Sequence, residues 1–447
     1  MESSRVLVLC FDPLTDAMPG PAIRAWHLAL QLSKDHEVVL AGTAGATRTS
    51  PSMDVRAVTG GADLDELVGW CDAVFAPTSV VRRHPVVVGS GKPLCIDMYI
   101  PTHLENLEPF GAAGGAEHVA AVQHQVSVLN DDLRHGDFFL CASERQRDFW
   151  LGSLASLGRV NPEVYGGDPT LRALIDVVPF GVDPGPPPAP AGVLRRAFPA
   201  IAEDDPVVIW GGGVYNWFDP LSLVRAVDSL RRSGRPRLRL VFMGMRHPNP
   251  GIPEMRMAES LRSLSAGLGL TGTHVFFNEG WVPYEERGSY LADADVAVST
   301  HLAHIETHFS FRTRVLDYLW AGLPMVLTGG DTLSDGIAAA GLGVAVEPGD
   351  PPAIADAIDR LLTRPPQRAE VRAYGARFAW DAVAGPLCRY MAEPRPARDR
   401  GSRPVAEPPV EAAVAALVPT GLRHVVGERL PEPVRRRVAA LLGAARR

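Results

Sequence analysis

Along the chain, short apolar runs alternate with longer stretches in which apolar positions recur every three or four residues. Continuous runs bounded by Gly, Pro and polar residues read as buried strands, and 3.6-residue recurrence reads as a helix with one buried face. In the first half the strand-like runs are residues 6–11, 37–41, 73–77, 94–98 and 138–142, with helical patterns at 22–33 and 144–156. A second series follows at 207–210, 238–243, 275–278, 296–300, 325–328 and 344–346. Strands that are apolar throughout and separated by helices predict parallel sheets covered on both faces. The expected fold class is α/β, with two doubly wound domains.

Between the two series lies Val178-Pro-Phe-Gly-Val-Asp183, then five prolines among residues 184–190, a linker composition. The pattern divides the chain into residues 1–180, a Pro-rich hinge at 181–192, a second domain at 193–375, and a helix at 376–391 packing back on the first domain. That last helix carries Trp380, Val383 and Leu387. Residues 392–447 form a Pro/Arg-rich tail, and the mix of Pro, Arg and acidic residues over 393–409 predicts disorder. At 434–447, Val434, Val438, Leu441 and Leu442 share one side with five arginines around them. A basic amphipathic helix packs on the protein or lies on an anionic membrane surface, and both readings stand.

Composition narrows the partners. A net charge of −7 argues against nucleic-acid binding through general electrostatics. Only Lys34 and Lys92 are lysines, so a Walker-type loop is absent and nothing after residue 92 could hold pyridoxal phosphate. Cys10, Cys71, Cys95, Cys141 and Cys388 lack CxxC spacing and fit a reducing compartment. The N-terminus does not read as a signal peptide, which predicts a cytoplasmic protein, peripheral at the inner membrane face if the tail docks.

The most chemically loaded stretch follows the run at 294–299: His301-Leu-Ala-His-Ile-Glu-Thr-His-Phe-Ser-Phe-Arg-Thr-Arg-Val-Leu-Asp-Tyr-Leu-Trp-Ala-Gly-Leu-Pro324. Phe311, Val315, Leu316, Leu319 and Trp320 recur at helical spacing, and Gly322 with Pro324 is a stop signal. Arg312 and Arg314 stand at the entry, beside His304, Glu306 and His308. A helix start offers unpaired N–H groups and a positive dipole end, to which guanidinium groups add bidentate donors. The pattern predicts a site for a phosphorylated small molecule just past a strand end. Neighbouring helix positions point in different directions, so a ligand held by both arginines and a ligand held by one are both open.

Three passages resemble glycosyltransferase family 4, whose fold is GT-B. Gly20-Pro-Ala-Ile-Arg24, before Trp26 and His27, resembles its Gly-rich acceptor-side loop. Val178-Pro-Phe-Gly-Val-Asp183 resembles its I-P-x-G-V-D hinge. Leu316-Asp-Tyr-Leu-Trp-Ala-Gly-Leu-Pro324 resembles L-E-A-M-A-x-G-x-P, the second half of the E-x7-E nucleotide-sugar motif. The likeness runs over residues 1–391 and implies two Rossmann-like domains facing an interdomain cleft. It also implies Gly20 and Arg24 on the acceptor-side loop, Asp317 on the ribose hydroxyls, and Trp281 and Val282 at the nucleobase.

The sequence departs from the family pattern in three places. The first glutamate of E-x7-E falls on Phe309, which makes Glu306 the substitute. The family's arginine and lysine on the donor diphosphate fall on Gly213 and Phe218. Gly212 and Gly213 offer backbone amides instead, Arg312 and Arg314 the charge, and Arg246 is a second-choice donor. The family's first-domain histidine has no match in Cys95-Ile-Asp-Met98, and His103 is the nearest substitute, with Asp97 and Glu105 available to orient an acceptor hydroxyl or cap a helix.

The resemblance implies a glycosyltransferase of hexosyltransferase type, moving a sugar from a nucleotide-diphosphate donor to a glycan, lipid or small-molecule acceptor. It implies retention, with no metal and no cofactor. The expected catalytic set is Arg312, Glu306, His103 and Asp97, with His304, His308 and Ser310 beside the donor. A sugar-nucleotide 2-epimerase of the same fold and a non-catalytic nucleotide-sugar-binding protein are the alternatives. The histidines at 301–308 have helical metal spacing, but no cysteine or second acid completes a four-ligand set. Asp293-Ala-Asp295 imitates a metal-binding DxD, yet its helix-to-strand position predicts a turn or capping role.

Overall fold

The computed structural model describes residues 3–16, 18–107, 115–183, 185–246 and 254–403. The first sheet contains β1 (Arg5–Leu9), β2 (Glu37–Gly42), β3 (Asp54–Ala57), β4 (Ala73–Pro77), β5 (Leu94–Asp97), β6 (Phe138–Cys141) and β7 (Ile175–Val177). The second contains β8 (Val207–Trp210), β9 (Arg239–Phe242), β10 (Val275–Phe277), β11 (Val296–Ser299), β12 (Met325–Thr328) and β13 (Gly343–Val346). Their orders are β3-β2-β1-β4-β5-β6-β7 and β10-β9-β8-β11-β12-β13, and every pairing is parallel. Central strands are buried along nearly their whole length, which is why they read as unbroken apolar runs.

Two strands carry no such signal. β3 is an edge strand with no buried residue, and β7 is only three residues long. In each sheet the strand order reverses once, between β1 and β4 and between β8 and β11. Loops leaving the carboxyl ends of strands on either side of a reversal part to opposite faces and leave a crevice, where open α/β sheets bind ligands.

The chain returns from the second lobe to the first. Val182 forms a bridge to Ala379, its N–H donating to the Phe378 carbonyl at 2.8 Å. Trp380 is buried beside them and stacks on His27 with ring centres 4.9 Å apart. A Cβ on Gly181 would lie 2.3 Å from that indole, so the crossing requires glycine. The helical pattern expected to run unbroken to residue 391 is divided into Arg368–Gly375, Trp380–Val383 and Gly385–Ala392.

The disorder expected from residue 393 is overturned as far as residue 403. Asp399 is 0% exposed and receives Arg159 Nε at 2.7 Å and Nη2 at 3.2 Å. Asp137, equally buried in side chain, is paired with Arg400 and Arg403. The segment reads as solvated charge because its partners lie some 240 to 266 residues away. The basic pattern at 434–447 lies outside the described residues, as does much of the loop at 244–253. Among the described residues no helix is long and apolar enough to cross a membrane.

Candidate active site

At the reversal in the second sheet, β8 runs into Gly211-Gly-Gly213 and β11 into Thr300 and His301. The loops are tied by a Phe218–His301 bridge and by Asp219 N–H donating to the Thr300 carbonyl at 2.9 Å. Opposite them begins the helix Thr313–Ala321, which buries Val315, Leu316, Tyr318 and Leu319 and stops at Gly322, with φ of 73°. Tyr318 fixes the glycine loop: its hydroxyl donates to the Val298 carbonyl at 2.9 Å and accepts the Gly211 N–H at 2.8 Å. A Cβ on Gly211 would meet that ring at 2.9 Å. The stretch expected as one helix entry is two helices, with Ile305–Phe309 separate from Thr313–Ala321 and Arg312 at the second cap.

Three connected chambers line the cleft. The donor-side chamber, about 170 Å³, lies between the glycine loop, Trp281, Val282, Arg314 and Asp317. A central chamber of about 510 Å³ is bounded by Glu105 and Asp12 from the first lobe and by Glu306, Ser310, Arg312 and Arg314 from the second. A third, about 300 Å³, opens at the β1–β4 reversal against Asp12, Arg24, Arg83 and Asp97. Gly20, Tyr215, Thr313 and Arg314 line both the donor-side and the central chamber.

The two arginines diverge. Arg314 reaches over Trp210 and Phe218, 4.7 and 4.2 Å from their ring centres, and donates Nη2 to the Gly213 carbonyl at 2.7 Å. Its Nη1 is buried without a partner, and burial pulls its pKa down to about 10. Arg312 turns to Asp331 at 3.2 Å and to the Thr328 carbonyl at 3.0 Å. Its Nε and Nη2 remain buried and unpartnered, so it is in part a structural ion pair. Of the two arginines, Arg314 alone borders the donor-side chamber, while both line the central one. Asp317 does border it, but its carboxylate is held by Arg287 Nε at 2.9 Å, while Arg287 Nη2 holds Asp183 of the linker at 3.0 Å.

Glu306 is 4% exposed with Oε2 unpartnered, and burial raises its pKa to about 7 despite Arg312. Its helix packs on Thr102–Glu105, where burial, then the nearby Glu306 charge, pushes Glu105 up to about 8. His301, wholly buried beside them, is held neutral by burial and the two arginines.

Other expected site residues are placed elsewhere. Arg24 is 1% exposed and closes on Asp97 at 2.6 and 3.0 Å and on the Pro179 carbonyl at 2.9 Å, an internal pair at the wall of the third chamber. His103 packs against Phe149 and Trp150 and lines none of the three chambers. Arg246 is exposed and lines none of them either. His304 caps its helix, Nδ1 accepting the Glu306 N–H at 3.1 Å, and His308 lies edge-on to Phe309. Position in the sequence does not specify side-chain direction. Asp293 accepts the N–H groups of Ala191, Gly192 and Leu194, a capping role. Tyr318, Tyr215, Arg287 and Asp183 went unread as site residues. Tyr318 alone had a signal, as the polar neighbour of Asp317 on a buried helix face.

The arrangement of two facing Rossmann-like sheets is the GT-B fold. A family model described as Glycosyl transferases group 1 matches residues 196–364. The D-inositol 3-phosphate glycosyltransferase of Stackebrandtia nassauensis is 28% identical over 289 residues, 61% of this chain and 62% of that protein. The protein of the same name from Frankia alni is 29% identical over 239 residues, 51% of this chain and 54% of that one. The chain thus spans roughly 54 to 62% of the length of the curated relatives it matches. HepE of Anabaena, solved in complex with UDP-glucose, has a TM-score of 0.63 at 15% identity, covering 87% of this chain and 99% of that one. Residues 196–364 are thus similar to the group 1 glycosyltransferases, in agreement with the family-4 resemblance of the motifs.

Proposed function

We propose that the protein transfers a sugar from a nucleotide-diphosphate sugar to a hydroxyl of a glycan, lipid or small-molecule acceptor, with retention and without metal or cofactor. The observation that carries this reading is Arg314. Its buried guanidinium has an unpartnered Nη1, stands in the first turn of a helix, and faces the glycine loop on the wall between two chambers.

A diphosphate in the donor-side chamber meets the N–H groups at the start of Thr313–Ala321, the amides of Gly212 and Gly213, and the Arg314 charge. Negative charge grows on the leaving oxygen as the glycosidic bond breaks, and a fixed donor in a water-poor site stabilises that change. Asp317 takes the ribose hydroxyls by releasing Arg287, and Trp281 lies where the base stacks. The sugar then projects into the central chamber beside Glu306, with the acceptor arriving from the first lobe. Retention follows when the leaving phosphate itself takes the acceptor proton, a route that needs no protein nucleophile. The glycosyl transfer named for the inositol-phosphate relatives supports the reaction class, and the UDP-glucose bound by HepE supports the donor class.

The test is incubation of the full chain with UDP-, dTDP- and GDP-sugars, with and without EDTA. Slow nucleotide release from at least one donor, unaffected by EDTA, is expected. Failure of every nucleotide to bind overturns the proposal, and formation of an epimeric donor replaces it.

A further inference from the structure

The central chamber carries carboxylates from both lobes. Glu105 comes from the first lobe and Glu306 from the second, on short helices that pack against each other across the cleft. Asp12 adds a third carboxylate on the first-lobe side. Arg312 is set against Asp331 and Arg314 is turned toward Gly213, each keeping buried guanidinium nitrogen without a partner on the other side of the chamber. The Glu105 carboxylate has no hydrogen-bond or ion-pair partner among the described residues, and Glu306 Oε2 is buried without one.

Burial raises the proton affinity of both carboxylates, Glu105 to about 8 with the Glu306 charge adding to it, and Glu306 to about 7 despite Arg312. A ligand that offsets this brings either protons or positive charge. An ammonium group brings both, because it donates three hydrogen bonds and cancels one charge. A phosphate brings the wrong sign for these two carboxylates. In the adjoining first-lobe chamber, Arg24 is closed on Asp97, and the Arg83 charge acts on Asp12.

We infer that the acceptor is an amine-bearing sugar or cyclitol, its ammonium held between Glu105 and Glu306, and not a phosphorylated one. The inference rests on the transferase reading for the word acceptor, while the binding it describes is measured without turnover. The relatives named for D-inositol 3-phosphate would then differ from this chain in the charge of the acceptor they receive.

The experiment is titration calorimetry of the full chain, saturated with its best-binding nucleotide, against glucosamine, glucose and inositol 3-phosphate. Glucosamine is expected to bind at least about tenfold tighter than glucose, a difference typical of one charge-assisted hydrogen bond, with inositol 3-phosphate no tighter than glucose. Glu105→Gln and Glu306→Gln should each erase the preference. Equal affinity for glucosamine and glucose overturns the inference, as does tightest binding of the phosphate. Nucleotide affinity in the same samples separates this from the transferase reading: bound nucleotide without amine preference sinks only the acceptor claim, and no bound nucleotide sinks the broader one.

Discussion

Two groups of buried charge in this molecule are completed to different degrees. Behind the first lobe, Asp137 and Asp399 meet Arg159, Arg400 and Arg403; every carboxylate oxygen there has a partner, and only Arg403 Nε, 3.7 Å from Asp399, lacks a hydrogen bond. In the cleft, Glu306 Oε2, Arg312 Nε and Nη2, Arg314 Nη1 and His301 Nδ1 are buried with none. Desolvating a polar group without a partner costs about 1–3 kcal/mol, so a closed network is consistent with holding the fold and an open one with holding a ligand. The two groups occupy one chain under one solvent and differ in how far they are completed.

The largest expected effect breaks the closed network. Asp399→Ala leaves the Arg159 guanidinium buried and uncompensated, and should lower stability to urea by about 3–5 kcal/mol. Truncation after Met391 should act in the same direction, against the sequence-based expectation that the catalytic unit ends there. A truncated protein as stable as the full chain would show the two networks to be alike.

Arg312 stands between the groups, with one nitrogen paired and two not. Arg312→Ala should cost about 1–3 kcal/mol, because Asp331 keeps the N–H groups of Leu333 and Ser334. Turnover should fall as well, so that stability and activity move together. An effect on activity alone would place Arg312 wholly in the open group.

The smallest effect has the opposite sign. Glu105 is pushed up to about 8 from an ordinary glutamate value, so the folded state holds its proton more tightly than the unfolded chain. That stabilisation is complete at low pH and is lost as pH rises through about 8. Glu105→Gln should therefore unfold at a higher midpoint than the parent at pH near 9, and the difference should vanish near pH 4. A constant difference across that range would mean that Glu105 titrates normally.

How much of this was legible beforehand follows the range of each interaction. The helix Glu144–Ser156 and the strands Val207–Trp210 and Met325–Thr328 matched their apolar patterns residue for residue, because burial against a sheet is written locally. The site's position past β11 and the stop at Gly322 were equally readable. Side-chain pairing was not. Arg24 and Asp97 are 73 residues apart, Arg287 and Asp317 30, and Arg159 and Asp399 240. No local pattern relates such pairs, so His103 and Arg246 were assigned by neighbourhood, while Arg287 passed unread.

The central claim is that the open charge in the cleft waits for a nucleotide diphosphate, with Arg314 as its principal cation. Titration calorimetry of wild type and Arg314→Ala with the tightest binder among UDP, dTDP and GDP tests it directly. The account predicts an affinity loss of about tenfold to a hundredfold, the worth of one charge-assisted contact, with the fold retained. Unchanged affinity in a folded Arg314→Ala protein would contradict it.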